Sequence, residues 1–270
     1  MITASLVAYN TGPEDLERVL SSVLREDVER VYVIDHSPHE GIEKLLPRDT
    51  RIYYERRPNL GYGAGHNAAI RMAMRDGADY HAVLNPDIYW EGEIISPLAK
   101  YMEENGEVGQ MLPKVLYPDG RLQYTCKLIP TPFDLIANRF LPASLVRKRL
   151  RRFRLEDSGY EKIMNVPYMH GCFMMLRMEA LREVGLFDER FFMYPEDIDL
   201  TRRIHEKWKT LFYPSLSLYH AHAAESRKSS KMLRIHIVNM VRYFNKWGWF
   251  FDKKRRFYNK RLLRDLDSNK

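Results

Sequence analysis

The chain has 270 residues, 45% apolar and 12% aromatic, which suits one large globular domain, or a domain with an appendage, around a sizeable core. Its net charge of +7 is uneven: residues 139–154 hold seven Lys/Arg and no acid, and residues 231–270 hold twelve against three Asp, so an anionic partner such as phospholipid, lipid-linked phosphate or nucleic acid is indicated. Two cysteines outside any C-x-x-C pair exclude a disulfide framework and fit a reducing cytosol. No apolar run nears the roughly 20 residues of a bilayer span, and the opening segment lacks the basic start of a signal peptide.

In chain order, residues 2–9 read as a strand, 14–24 as a helix, 30–35 and 51–55 as strands, 63–74 as a helix and 81–84 as a fourth strand. Short apolar strands alternating with helices predict a mostly parallel sheet flanked by helices, with ligands bound beyond the strands' carboxyl ends. Those ends carry Tyr9-Asn10, Asp35 and Asn85-Pro86-Asp87. Residues 91–105 read as a helix and 108–117 as a strand. Residues 130–154, rich in Pro, aromatics and cations, read as a helical excursion or mobile loop. A strand over 168–177, broken at Gly171, leads into a helix over 178–184. Short strands follow at 210–213 and 216–220, and the chain is helical and basic from 231 onward. No internal repeat or low-complexity tract is visible.

Four features carry chemistry. Pro195-Glu196-Asp197-Ile198-Asp199 packs three carboxylates into four residues at the start of a helix marked by Ile198, Leu200, Ile204 and Trp208. Such density fits a metal site, proton transfer or acids complementing a helix N-terminus. Asn59-Leu60-Gly61-Tyr62-Gly63-Ala64-Gly65-His66-Asn67 lies between a strand and a helix. Its glycines let backbone approach a diphosphate closely, or else serve tight helix–sheet packing. The G-x-G-x-G spacing after the third strand fits a dinucleotide fingerprint poorly. Asp87, at a strand end, can hold a hard divalent cation, and Asn85-Pro86-Asp87 is equally a common turn. His220, with His222 close behind, can complete a metal site.

Taken in order, Asp35, the glycine turn, Asn85-Pro86-Asp87, Gly171-Cys172-Phe173-Met174, the run from Gly185 through Phe187-Asp188-Glu189 to Phe191-Phe192, Glu196-Asp197-Ile198-Asp199 and His220 resemble the inverting family 2 glycosyltransferases of the GT-A fold. The rhamnosyltransferase-like branch matches best, and the resemblance covers about residues 2–230. It implies that Asp35 hydrogen-bonds the nucleobase. Tyr9, Asn10, Asn59, Gly61, Gly63, Gly65, Asn67 and Asn85 then line the sugar-nucleotide site. Asp87 stands for the last acid of the D-x-D motif that holds Mg²⁺ or Mn²⁺, with Asn85 in place of the first acid. Asp197 is similar to the general base, with Glu196 and Asp199 as supporting acids that raise its proton affinity. His220 is similar to a histidine that touches the metal or diphosphate, and His222 leaves that register open. The implied reaction moves L-rhamnose from dTDP-rhamnose, or a hexose from a UDP-sugar, to a glycan or polyprenyl-diphosphate-linked acceptor in cell-surface polysaccharide (O-antigen-type) synthesis.

Trp247, Trp249, Phe250 and Phe251 precede Lys253-Lys254-Arg255-Arg256 and Lys260-Arg261. Aromatics beside cations suit an anionic leaflet, which predicts a cytoplasmic protein held peripherally on the inner face of the cell membrane; the other reading packs these aromatics on the catalytic domain. The expected division is a transferase domain over 1–230, with a nucleotide-sugar half (1–105) and an acceptor half (106–230), and a basic tail over 231–270. Two other functions compete. A sugar-phosphate nucleotidyltransferase would need a glycine-rich loop with Arg and Lys after the first strand, where Tyr9-Asn10-Thr11-Gly12-Pro13 stands. A non-enzymatic membrane- or nucleic-acid-binding protein would explain the tail but not the acid cluster or the strand-end aspartates, so nucleic acid is not an expected partner.

Overall fold

The computed structural model describes residues 1–39, 41–134, 143–221 and 230–268. A nine-stranded sheet runs β3 (Ile52–Arg56), β2 (Arg30–Asp35), β1 (Ile2–Ala8), β4 (Tyr80–Leu84), β10 (Phe173–Arg177), β6 (Val108–Leu116), β11 (Lys209–His220), β5 (Ile88–Tyr89), with β8 (Met164–Asn165) also paired to β11. β1 to β4 pair in parallel. β10 is antiparallel to both β4 and β6, and β11 is parallel to β6, so six of the nine strands point one way. A separate pair joins β7 (Cys126–Lys127) to β9 (Tyr168–Met169).

The strand period of two divides the core. Ala4, Leu6 and Ala8 of β1, with Phe173 and Met175 of β10, face the helices α1 (Pro13–Val23) and α3 (Ile95–Glu104). Val7, Met174 and Leu176 face α2 (Tyr62–Arg75) and α5 (Met178–Val184). On α1, Leu16, Val19, Leu20 and Val23 make the buried stripe expected of one helical face. α6 (Glu196–His205) reaches both cores, with Ile198 in the first and Leu200 and Ile204 in the second.

Several elements differ from the sequence expectation. The break expected at Gly171 is present, but the two pieces of 168–177 join different sheets, β9 with β7 and β10 with β4. The strands predicted at 210–213 and 216–220 form one, β11, whose register slips between Tyr213 and Ser217, where Pro214 has no N–H to offer the ladder. Within 130–154 the described helix is α4 (Ala143–Phe153). The basic extension forms α7 (Ser230–Trp247) and α8 (Lys253–Ser268), parted at Gly248 with φ of +97°. Tyr243, Phe244 and Leu262 share the core of the sheet, so the extension is built into the domain and the expected boundary at 231 crosses a continuous core.

Candidate active site

Because β10 runs against its neighbours β4 and β6, its start lies at the same edge of the sheet as the ends of β1, β2, β4 and β11. The sheet's topology therefore gathers Tyr9, Asp35, Asn85, Asp87, Gly171, Cys172 and His220 along one edge. Asn85 N–H donates to the Cys172 carbonyl (2.9 Å), and Ala221 N–H donates to that of Asp87 (2.9 Å), tying these strand ends together. His220 Nε2 stands 3.3 Å from Asp87 Oδ1, while its Nδ1 meets Gln123 Oε1 at 3.0 Å. Gln123 also donates to the His220 carbonyl, so ring and backbone are both held. Burial works against a charge on His220, but the neighbouring Cys172 sulfur and Asp87 carboxylate push it up to about 10. His170, Cys172 and His220 bring ligating atoms within 4.8 Å of one another. A carboxylate with imidazoles beside a partly open edge fits a divalent cation, and Mn²⁺ better than Mg²⁺, because imidazole suits transition metals. His222 lies outside the described residues.

Asp197 opens α6 on the other side of the same turn. Its Oδ2 accepts the Gly171 N–H (3.0 Å) and its Oδ1 accepts the Ile198 N–H (2.8 Å). A Cβ on Gly171 would fall 2.9 Å from Asp197 Cβ, so only glycine permits this approach. Tyr62 closes the turn by donating from its hydroxyl to the Gly171 carbonyl (2.7 Å). Burial raises the Asp197 carboxyl above its ordinary range, opposed by these backbone donors and by the Lys127 ammonium. Lys127 and Tyr168, which lies against it, were not evident in the sequence, since an isolated Lys or Tyr outside a motif carries no positional signal.

The supporting acids part company. Asp199 is fully buried and engaged by Arg203 (2.9 Å), Lys246 (2.7 Å) and the Trp247 indole (2.8 Å), so it anchors α7 and does not tune Asp197 as expected. Glu196 is 5% exposed, and its Oε2 has no hydrogen-bond partner. Burial first, then the Asp197 charge, push its carboxyl well above the usual range. A raised folded-state value gives stability that is present below the unfolded value of about 4.3 and is lost as pH rises through the folded one. Glu196→Gln should remove that loss. Its melting temperature, followed across pH, should decline less steeply than wild type on the alkaline side; parallel curves would contradict the assignment.

The glycine turn takes its packing role. Gly61, at φ +109°, lies against the Phe192 backbone, where a Cβ would come within 2.2 Å of the carbonyl oxygen. Gly63 meets Phe187, and Gly65 meets Val7 and His36. The Gly61 N–H is held by Asn59 Oδ1 and the Tyr62 N–H by the Phe192 carbonyl. Asn67, buried, clamps Phe187 through both its N–H and carbonyl and donates to Glu189. Gly61, Gly63, Gly65 and Asn67 thus form a dock for residues 186–196, which lead into Asp197. Asp35 is also held by the protein itself. It has no exposed surface, and its carboxylate accepts from the Ser37 and Ile42 N–H groups and the Tyr54 hydroxyl. Burial works against its charge, yet these donors hold the carboxyl below its ordinary range. It thereby fixes Ser37, whose hydroxyl accepts the Asn10 N–H (3.0 Å); Tyr9, the next residue back, is 55% exposed.

A sheet of this topology, with Asp197 and the Asp87–His220 pair at one edge, is that of the GT-A glycosyltransferases. The sequence profile described as glycosyl transferase family 2 matches residues 4–185, and the chain belongs to that family, in its rhamnosyltransferase-like branch. N-acetylglucosaminyl-diphospho-decaprenol L-rhamnosyltransferase of Mycobacterium tuberculosis is 29% identical over 245 residues, 82% of this chain and 75% of that protein. Rhamnosyltransferase WbbL of Escherichia coli is 25% identical, over 88% of this chain and 91% of its own. The fold is shared with GalNAc-T7 solved with UDP, GalNAc and Mn²⁺ (TM-score 0.66, 17% identity, 96% of this chain, 49% of that one). It is also shared with the mannosyltransferase PcManGT of Pyrobaculum calidifontis in complex with GDP-Man and Mn²⁺ (TM-score 0.58, 16% identity, 99% and 73%). Family membership sets aside the nucleotidyltransferase and non-enzymatic readings.

Proposed function

We propose that this glycosyltransferase inverts the anomeric centre of a nucleotide-diphosphate sugar, dTDP-L-rhamnose first among candidates and a UDP-hexose second, onto a hydroxyl of a polyprenyl-diphosphate-linked saccharide. The observation that carries this is the turn at residues 170–172, which holds Asp197 on one side and the Asp87–His220 pair on the other. Asp197 takes the acceptor's hydroxyl proton as its oxygen attacks the anomeric carbon, and the bond to the diphosphate oxygen breaks on the opposite face. Asp87 and His220 would hold Mn²⁺ or Mg²⁺, which supplies positive charge to the leaving diphosphate. Tyr9 and Asn10 would meet the nucleoside, with Asn59 and Asn85 at the margin. The mycobacterial relative's name, a rhamnose transfer onto a diphospho-decaprenol acceptor, supports both substrate assignments. Among the described residues no helix is long and apolar enough to cross a membrane, so a lipid-linked acceptor would be met at the leaflet surface, as a peripheral protein on the inner face of the membrane.

A thermal-shift panel of dTDP-, UDP- and GDP-sugars with and without Mn²⁺ tests the donor. At about 100 times its Kd a donor stabilises by about 2.7 kcal/mol. Metal-dependent stabilisation by dTDP-rhamnose is the expected result. A set of flat melting curves would overturn the reading.

A further inference from the structure

The two basic stretches, far apart in sequence, fold against each other. Between α4 and α8 lies a cleft of about 860 Å³, floored by Leu128, Ile129 and Phe153. Six cations line it: Arg149, Arg152, Arg255, Arg256, Lys260 and Arg264. Three have structural duties. Arg149 is paired with Asp134 and covers the Phe133 ring, Arg255 is buried and donates to the carbonyls of Pro130, Gly248, Trp249 and Phe250, and Arg264 meets Asp265. Arg152, Arg256 and Lys260 are exposed, and among the described residues none has a carboxylate within ion-pair distance. Phe250, 69% exposed, forms part of the cleft wall, next to Phe251 at 88%.

The cleft adjoins, along the chain, a residue that acts on Asp197. Its floor continues β7, whose Lys127 lies over the Tyr168 ring and whose charge acts on Asp197. Asn259 of α8 fixes Ile129 through both the backbone N–H (2.8 Å) and the carbonyl (2.9 Å), and Leu128 N–H donates to the Phe153 carbonyl, so floor and walls form one unit. Three unpaired cations over an apolar floor, with exposed phenylalanines at one margin, match a ligand carrying adjacent phosphates on an apolar chain. We propose that this cleft binds the diphosphate of the prenyl-linked acceptor, with the acceptor sugar directed along β7 toward Asp197. The inference rests on the acceptor named under Proposed function and adds where that acceptor is held.

The test uses the full chain, without metal, and phosphatidylcholine vesicles that carry either a minority of a long-chain prenyl diphosphate or charge-matched phosphatidylglycerol. Binding should favour the prenyl diphosphate and be displaced by inorganic pyrophosphate. At about 1 kcal/mol per cation, the triple variant Arg152→Ala, Arg256→Ala, Lys260→Ala should lose on the order of 100-fold in vesicle affinity. Its melting temperature and its donor-induced stabilisation should match wild type. Lys260→Glu, a single change on an exposed turn, gives a second reading if the triple variant folds poorly. Equal binding to both vesicle types, no displacement by pyrophosphate, or wild-type binding by the variants overturns the cleft. Vesicle preference with no donor stabilisation would defeat the transfer reading and leave the cleft standing; the reverse pattern would defeat the cleft alone.

Discussion

Asp197→Asn lowers turnover by at least about 10²-fold while donor affinity stays near wild type. The substitution keeps the size of the side chain and one of its two accepting oxygens, so either the Gly171 N–H bond at Oδ2 or the Ile198 N–H bond at Oδ1 is retained. It removes the capacity to accept a proton from the acceptor hydroxyl, and an unchanged melting temperature would show that the lost backbone bond leaves the turn in place. Positioned general-base catalysis is worth about 10²–10⁴-fold, and the two acids beside Asp197 are poorly suited to replace it: Glu196 is buried, which pushes its carboxyl well above the usual range, and Asp199 is locked to Arg203 and Lys246. Steady-state kcat and donor binding by calorimetry separate the two effects. A variant that turns over like wild type would remove Asp197 from the role. The raised Asp197 carboxyl adds a pH signature. The base must be ionised, so the acid limb of the wild-type kcat profile should fall off at a higher pH than an ordinary carboxylate would allow.

Much of the fold could be read from the chain because local pattern and final environment agree there. The near-continuous apolar runs of β1 and β2 are buried on both faces, as parallel central strands are, and the α1 stripe repeats at helical spacing. The two-residue strands β5, β7 and β8 are too short to show a period, and they form only because β11 or β9 offers them a ladder. The candidate site was legible in composition more than in role. The positions of Asp87, Asp197 and His220 followed from order along the chain. The roles of the glycines and Asn67 did not, because close approach to a ligand and close approach to Phe187 and Phe192 demand the same missing side chain. Asp199 was misread for a related reason: its partners Lys246 and Trp247 lie nearly fifty residues further on, in a segment that reads as a detachable basic tail.

The second large effect concerns that segment. Asp252→Ala should cost about 3–5 kcal/mol of stability, the usual loss when one partner of a buried ion pair is removed, against a total of about 5–15 kcal/mol. Asp252 and Arg202 are 3% and 1% exposed, and the guanidinium meets both carboxylate oxygens at 2.8 Å. The same guanidinium lies 3.9 Å above the Trp247 ring, and Asp252 also accepts the Arg255 N–H at the start of α8. The pair therefore fixes both tail helices to α6, the helix whose first turn carries Asp197. Urea unfolding measures the loss as a shift in midpoint at constant slope. Replacing both partners by apolar residues of similar volume should recover much of it, because the penalty comes from the charge left unpaired. Were residues 231–270 only a membrane anchor, Asp252→Ala would leave the midpoint within about 0.5 kcal/mol of wild type, as for a surface substitution, and truncation after Ser230 would yield a folded domain. Asn239 supports the opposite outcome. It donates to the Met193 carbonyl, and Arg242 donates to that of Arg190, so α7 holds the very loop that feeds into α6. The charges facing water on α8 and the aromatics facing α6 are thus compatible: one surface of the extension builds the active site's supporting wall while the other remains available to an anionic leaflet.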